Sequence, residues 1–180
     1  RTGFLGFGSE MARVRVTRLA EAGNLAQKAK AVVDKLLDTM NLSVASTIRK
    51  PQPDTPDTYT IEVEGDDSGL LIGRRGETLR TFQFMMNLIL SREGSLDTGR
   101  VVLDVEGYRR RRSEALQGLA LRLADRVVAT GRPMTLEPMA ANERRIIHVS
   151  LADHPRVTTQ STGEGNSRQV SILPRRPLGL

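Results

Sequence analysis

The sequence lacks cysteine and tryptophan, and only 3% of its 180 residues are aromatic. Without cysteine, disulfides and thiolate metal sites are excluded, and a reducing compartment is the expected environment. No apolar run reaches the roughly 18 residues that a membrane span needs, and no signal-peptide pattern is present. We therefore expect a protein that is not integral to a membrane.

The inventory of reactive side chains is also poor. The two histidines, His148 and His154, leave a zinc site short of ligands. No set of nucleophile, base and orienting group stands out along the chain. We predict no catalysis, no metal, no cofactor and no small-molecule substrate, with a nuclease that uses His148 as general base as the remaining enzymatic alternative.

Charge is what the sequence has in excess, and it is unevenly placed. The net charge is +6, but residues 24–106 carry −3 and residues 107–180 carry +7. A basic segment of this kind suits a polyanion, although a solvated surface is an equally good explanation of charge alone. The length and the 38% of apolar residues indicate one or two globular domains.

Hydrophobic periodicity predicts a mixed, α+β fold. A helix (24–40), two strands (42–48 and 59–63), a glycine loop, a helix (78–90) and a strand (101–105) follow one another. Their economical packing is a three-stranded sheet backed by helices. Further elements are predicted at 13–16 (a short strand after a loop), 108–130 and 138–152 (helices), and 157–161 and 168–172 (strands).

The glycine loop is the stretch GLLIGRRGETL, residues 69–79. Its glycine spacing fits neither a Walker loop nor a Rossmann fingerprint. The remaining functional interpretation of this loop is a Gly-x-x-Gly clamp on a nucleic-acid backbone. A turn between helices that needs positive φ is the alternative, since a lone Gly-x-x-Gly is a weak signal.

In the clamp, each residue type has a stated role. Gly73 and Gly76 would let the sugar-phosphate chain approach, and Arg74 and Arg75 would supply charge to phosphates. Two apolar residues would floor a groove under the bases, and two polar residues would line its rim; these pairs are Leu71 with Ile72, and Arg80 with Gln83.

Two basic features follow in the C-terminal part. Arg109 to Arg112 lie in the first turn of a predicted helix, the unfavourable end for cations, so they hint at function or pair with acidic neighbours such as Glu106 and Glu114. Arg144 and His148 are spaced i, i+4, which places both on one face of the next helix.

The order of elements around GLLIGRRGETLRTFQFMMNLIL resembles a type II KH domain. The stretch LEPMAANERRIIHVSLADHPRVTTQSTGEGNSRQVSILP resembles an R-three-H domain, with its Arg-x3-His helix and its Ser-x-Gly-Glu turn. The pairing, with LDVEGYRRRR and PMAANERRIIH, is similar to the bacterial Jag family, also called the KhpB or SpoIIIJ-associated family. Ala140-Ala141-Asn142 departs from the family's pattern, which removes a possible stacking aromatic.

This resemblance implies a division of the chain and a function. Residues 1–23 would be a linker and the end of an N-terminal Jag-N domain that is mostly missing, 24–106 the KH domain, and 107–180 the R-three-H domain with its connecting helix and a loose tail. It implies single-stranded RNA as the partner, with phosphate contacts from Arg144 and His148, help from Arg145 and a weaker contribution from Arg168.

The resemblance also implies a bacterial cytoplasmic protein, with a role in the control of cell elongation and division and a small KH-only protein as a partner. Two alternatives stay open: an adaptor at the membrane insertase or the division machinery, with incidental RNA binding, and a binder of single-stranded DNA.

Overall fold

The computed structural model describes residues 24–175, except 54, 57 and 93–99. The predicted loop and strand within residues 1–23, and residues 176–180 of the predicted loose tail, lie outside this part. The chain divides between Tyr108 and Arg109 into two compact units. Both units mix helix and sheet, which confirms the α+β prediction.

The first unit is a three-stranded sheet with helices. Helix α1 covers residues 24–39 and is followed by β1 (Val44–Arg49) and β2 (Thr58–Gly65). A short helix α2 (Ser68–Ile72), a 3-10 turn (Arg74–Gly76), α3 (Glu77–Arg92) and β3 (Arg100–Val105) complete it. Strand β2 lies in the middle, antiparallel to β1 and parallel to β3, with Ile61 opposite both Ile48 and Leu103.

The core of this unit is made by the apolar faces that periodicity predicts. Buried side chains from α1, β2, α3 and β3 form one cluster that includes Leu25, Val33, Ile61, Val63, Leu79, Phe82, Met86, Leu90, Leu103 and Val105. Met85 is apolar but 39% exposed, because the buried stripe of α3 runs through Phe82, Met86 and Leu90.

Glu62 is an acidic residue of β2 that lies in the interior of the unit. Its side chain is buried, and only 4% of the residue is exposed. Its carboxylate accepts a hydrogen bond of 2.9 Å from the backbone N–H of Gly107 and lies 3.5 Å from Arg49 Nε. A buried carboxylate needs such partners, so Glu62 joins β2 to the turn after β3.

The second unit holds a sheet whose three strands are all antiparallel. It contains α4 (Tyr108–Thr130, of which Tyr108 belongs to the first unit), β4 (Met134–Thr135), α5 (Ala141–Ser150), β5 (Val157–Thr162) and β6 (Gln169–Pro174). The strand order is β4-β6-β5. The core cluster is Leu116, Ala120, Ala124, Val127, Leu136, Ile147, Leu151, Val157, Val170 and Ile172.

Helix α5 begins later than the sequence predicted. It starts at Ala141 and not at Pro138, because Glu143 folds back to accept a 3.4 Å hydrogen bond from the N–H of Ala140. Strand β4 was not predicted, since two residues are too few for a periodic pattern. Among the described residues, no helix is long and apolar enough to cross a bilayer.

Candidate nucleic-acid interface

The Gly-Arg-Arg-Gly segment forms a tight turn between two helices. Helix α2 ends at Ile72, Gly73 adopts a φ of +65°, and residues 74–76 make a single 3-10 turn that leads directly into α3. Arg75 and Gly76 are also left-handed, with φ values of +54° and +74°. The segment therefore stands at the N-terminus of a 16-residue helix, where backbone N–H groups attract anions.

Both glycines are required by the protein's own packing. A Cβ atom on Gly73 would collide with the side chain of Thr78, and one on Gly76 would lie 2.7 Å from Cε1 of Tyr108. The positive φ values add strain for any larger residue. Whatever the glycines allow a ligand to do, they are first needed to close this turn.

The two arginines of the turn have different surroundings. Arg74 is exposed, whereas Arg75 is half-buried. The carbonyl oxygen of Arg75 accepts a 3.0 Å hydrogen bond from Nη1 of Arg80. Arg80 was predicted at the rim of a groove. It instead holds the Gly-Arg-Arg-Gly segment against the first helical turn of α3.

The predicted apolar floor is only partly where the sequence placed it. Leu71 is 2% exposed and belongs to the core, so it offers no surface to a base, and Ile72 is half-buried against the same core. Leu70, which was not predicted, is 63% exposed. Neighbouring residues of a helix point about 100° apart, so a helical reading of Ser68–Ile72 would have turned Leu70 outward when Leu71 turned inward.

The side chain of Gln83 is hydrogen-bonded to the backbone of β3. Its amide oxygen accepts from the N–H of Leu103 at 2.7 Å, and its amide nitrogen donates to the carbonyl oxygen of Val101 at 3.1 Å. The side chain that was placed on the groove's rim therefore covers the edge of β3.

In the second unit, α5 presents Arg144 and His148 from one face. His148 Nδ1 lies 2.6 Å from Oγ1 of Thr159, and its Nε2 lies 2.7 Å from Oγ of Ser161. Both hydroxyls come from β5, so the strand fixes the ring on both sides. A hydroxyl can donate or accept, which lets this arrangement hold a neutral or a protonated ring.

The surroundings of His148 favour its neutral form. Burial lowers the pKa of the imidazole below its usual 6.5, and the charge of Arg144 lowers it further. The ring is therefore uncharged near pH 7. A nearby anion would reverse the second effect.

The other predicted arginines of this unit differ in exposure. Nε of Arg144 is buried and has no hydrogen-bond partner among the described residues. Arg145 is exposed, as is Arg168, which follows the 3-10 turn Gly165–Ser167. The backbone oxygen of Arg168 accepts a 3.2 Å hydrogen bond from Met139, which ties this turn to the segment before α5.

Arg112 has a partner that the sequence did not suggest. Its Nε lies 2.7 Å from Oε1 of Glu143, an acidic residue 31 positions away rather than the neighbouring Glu106 or Glu114. The carboxylate of Glu143 is buried. Arg112 thus compensates a buried charge between α4 and α5, which is a structural use of one of the four arginines.

Comparisons with known proteins agree with this geometry. The family model of the KhpA/KhpB KH domain matches residues 26–104, and that of the R-three-H domain matches residues 114–174. The protein named RNA-binding protein KhpB from Clostridium symbiosum is 40% identical over 174 residues, which cover 97% of this chain and 76% of that protein. The protein of the same name from Bacillus subtilis (strain 168) is 34% identical over 177 residues, covering 97% of this chain and 81% of the relative. The chain therefore belongs to the KhpB family, in which a KH domain precedes an R-three-H domain.

Proposed function

We propose that this chain binds single-stranded RNA and performs no catalysis. The observation that carries the proposal is the left-handed Gly73–Gly76 turn, which presents the exposed Arg74 at the N-terminus of α3. Fixed N–H groups and an arginine that stays charged are what a phosphodiester backbone binds. The names of the family relatives, which are RNA-binding proteins, support RNA as the ligand.

In the first unit, the turn holds the backbone and apolar surface beside it holds bases. Arg74 contacts phosphate, with Arg75 beside it, and Arg80 keeps the turn in place through the carbonyl of Arg75. Leu70, the exposed apolar residue of α2, joins Ile72 in contacting bases. A clamp of this type engages about four nucleotides.

In the second unit, Arg144 and His148 contact a phosphate, with help from the exposed Arg145 and Arg168. Residues 24–106 carry −3 and residues 107–180 carry +7, so the second unit supplies most of the salt-sensitive affinity. Two weak sites on one chain reach a useful avidity without further contacts.

The biological role that fits such a protein is post-transcriptional regulation in the bacterial cytoplasm, linked to cell elongation and division. The divisions at residues 23/24 and 106/107 stay part of this proposal. Among the described residues, no group of three or more His, Cys, Asp or Glu side chains could hold a metal ion.

Binding to a labelled single-stranded RNA pool across a salt series tests the proposal. Arg74→Asp should weaken binding about tenfold or more and flatten the salt slope by about 0.7 or more, since one phosphate contact is lost and its charge reversed. Arg92→Asp is the matched control, because it makes the same charge change at an exposed site at the other end of α3. Arg144→Gln with His148→Gln tests the second unit.

Each outcome has a defined meaning. RNA loss in Arg74→Asp but not in Arg92→Asp supports a clamp at the turn. DNA of the same sequence should bind more weakly, and equal affinity would instead favour a binder of single strands in general. Absence of RNA binding by the native chain, or equal binding by all the variants, would overturn the proposed function.

A specific observation favours protein contact as a second function. Phe84, Met85 and Leu88 are 66%, 39% and 45% exposed on one side of α3. Two such helices laid antiparallel would place Phe84 opposite Met85 and bring Glu77 of one against Arg92 of the other. A second KH-type helix, such as that of a small KH-only protein, therefore fits this surface.

The α3 surface is tested separately from RNA binding. Leu88→Asp should abolish association with a purified KH-only protein while it leaves the affinity for RNA within about twofold. Leu121→Asp, at an exposed leucine of α4, is the control. Unchanged association of Leu88→Asp would remove this function.

A further inference from the structure

The ring of Tyr108 lies directly against the second glycine of the turn. A Cβ atom built on Gly76 would be 2.7 Å from Cε1, 3.3 Å from Cζ and 3.2 Å from the hydroxyl oxygen of Tyr108. Carbon atoms do not approach so closely, so the space that any other residue would need at position 76 is already taken by the phenol. The glycine and the tyrosine are therefore matched to each other.

Tyr108 is itself held firmly. It is partly buried against the core of the first unit, and it follows a turn in which Glu106 and Gly107 have φ values of +51° and +67°. The N–H of Glu106 donates to the carbonyl of Val63 at 3.1 Å, and the N–H of Gly107 donates to the buried carboxylate of Glu62 at 2.9 Å. The central strand thus fixes the backbone that carries the ring.

The Gly73–Gly76 turn has a second contact, which comes from Arg80. Arg80 donates from Nη1 to the carbonyl of Arg75, which keeps a non-glycine residue left-handed. Such a conformation is unfavourable for a residue with a Cβ atom and persists only when its surroundings enforce it. The turn is held by a hydrogen bond from α3 at Arg75 and by an aromatic ring at Gly76.

We propose that Tyr108 is a positioning residue of the RNA-binding turn. Its ring fixes Gly76 and thereby the direction of the Arg74 side chain and of the N–H groups that precede α3. This inference rests on the proposed function of the turn. Loss of the ring leaves every charge of the turn in place but requires RNA to order a looser segment when it binds, which weakens affinity.

The chain provides a matched control for this residue. Its two tyrosines, Tyr59 and Tyr108, are both partly buried against the core of the first unit, but Tyr59 lies on β2 and pairs with Val101. Replacement of either by alanine removes the same side chain from the same core. Only Tyr108→Ala frees the space above Gly76.

The experiment measures the RNA affinity of the full chain and the hydrogen exchange of the amides of residues 74–77 without RNA. Tyr108→Ala should weaken RNA binding about five- to thirtyfold and speed amide exchange in the turn about tenfold or more. Tyr108→Phe keeps the ring and should stay within about threefold of the native affinity. Tyr59→Ala should leave the affinity within about twofold and should not speed exchange in the turn more than elsewhere in the unit.

Three results would overturn the inference: native affinity in Tyr108→Ala, an equal loss of affinity in Tyr59→Ala, or a loss in Tyr108→Phe as large as in Tyr108→Ala. Failure of the proposed function gives a different result. In that case Arg74→Asp binds RNA as the native chain does, whereas Tyr108→Ala still speeds amide exchange in the turn.

Discussion

The side-chain amide of Gln83 accepts a hydrogen bond from the backbone N–H of Leu103, as the carbonyl of a neighbouring strand would. Its amide oxygen lies 2.7 Å from the backbone nitrogen of Leu103, and its amide nitrogen lies 3.1 Å from the carbonyl oxygen of Val101. Among the strands of the described residues, β3 stands at the end of the order β1-β2-β3. One carboxamide on α3 thus satisfies an acceptor and a donor of β3, as a paired strand would.

Gln83→Ala should destabilise the first unit by about 1–3 kcal/mol, since it leaves a partly buried N–H and C=O without this partner. Tyrosine fluorescence during denaturation follows this unit, because both tyrosines of the chain lie in it. Gln27→Ala, at an exposed site on α1, should change stability by less than about 0.5 kcal/mol. RNA affinity should be unchanged in Gln83→Ala, and a tenfold loss would show that the side chain contacts the ligand after all.

The contact of Gln83 with β3 could not be predicted from a local sequence pattern. Its place beside Arg80 on the helix after the glycine loop was predicted, but the strand residues that it meets are 18 and 20 positions away in the sequence. A sequence pattern reports the face of a helix and not the partner of that face. The same limit separated Arg112 from Glu143, which a local search for acidic neighbours could not find.

The elements themselves were largely predictable. The apolar stripe of α3 and the alternation in β2 predicted most of their buried side chains, since burial imposes periods of 3.6 and 2 residues. Met85 and Glu62 are the exceptions in these two elements. The other errors came from short or irregular segments. Strand β4 has two residues, and α2 has five, which is too short to show that Leu70 and Leu71 point in different directions. The identities of Gly73 and Gly76 predicted the turn, but not that Thr78 and Tyr108 occupy the space beside them.

The glycine at position 76 offers a direct test of that last point. Gly76 and Gly107 have similar φ values, +74° and +67°, but a Cβ on Gly107 would meet nothing within 4 Å. Gly107→Ala should therefore cost about 1–2 kcal/mol from its left-handed backbone alone. Gly76→Ala adds the collision with Tyr108 and should cost about 3 kcal/mol or more.

The fluorescence of Tyr59 during denaturation can follow Gly76→Ala, Gly107→Ala, Tyr108→Ala and the double variant Gly76→Ala with Tyr108→Ala. The collision is absent from the double variant, so its loss of stability should be smaller than the sum of the losses in Gly76→Ala and Tyr108→Ala. Strict additivity, or equal costs for Gly76→Ala and Gly107→Ala, would contradict the steric explanation. Glycine variants of the turn are for this reason poorer probes of RNA binding than Arg74→Asp.

Breaking the pair of Arg112 and Glu143 should destabilise the second unit. Arg112→Ala leaves the buried carboxylate of Glu143 with its bond to the N–H of Ala140 but without its 2.7 Å cationic partner. We expect a loss of about 2–3 kcal/mol, because an unpaired buried charge is costly and Arg112 is itself partly exposed. Hydrogen exchange at the amides of Ile147 and Ile172 measures the stability of this unit.

The control for Arg112 is an arginine two positions earlier in the sequence. Arg110 is exposed in the same helical turn, so Arg110→Ala removes the same charge and should change stability by less than about 0.5 kcal/mol. An equal effect of the two substitutions would mean that net charge, and not the buried pair, controls the stability of this unit.

The stability of the second unit should fall as the pH is lowered through the ordinary pKa of histidine. The folded pKa of His148 lies below 6.5 because of burial and Arg144, so between that value and 6.5 the unfolded chain binds more protons than the folded chain. Stability then decreases with decreasing pH over this window. His148→Gln should lose less stability than the native chain between pH 7.5 and 5.5, with His154→Gln as the control. Parallel losses in the native chain and His148→Gln would contradict this assignment.

Bound RNA should raise the pKa of His148, opposite to the effect of Arg144 in the free protein. A phosphate bound beside Arg144 and His148 offsets the charge of Arg144 and raises the pKa of His148 in the complex above that in the free protein. The complex then takes up a proton as the pH is lowered from 7.5 towards 5.5, so the affinity for RNA increases over this range. His148→Gln should lose this increase, whereas Arg74→Asp should keep it at a lower overall affinity. The same pH dependence in native chain and His148→Gln would place the phosphate away from the ring and leave His148 with its hydrogen bonds to Thr159 and Ser161.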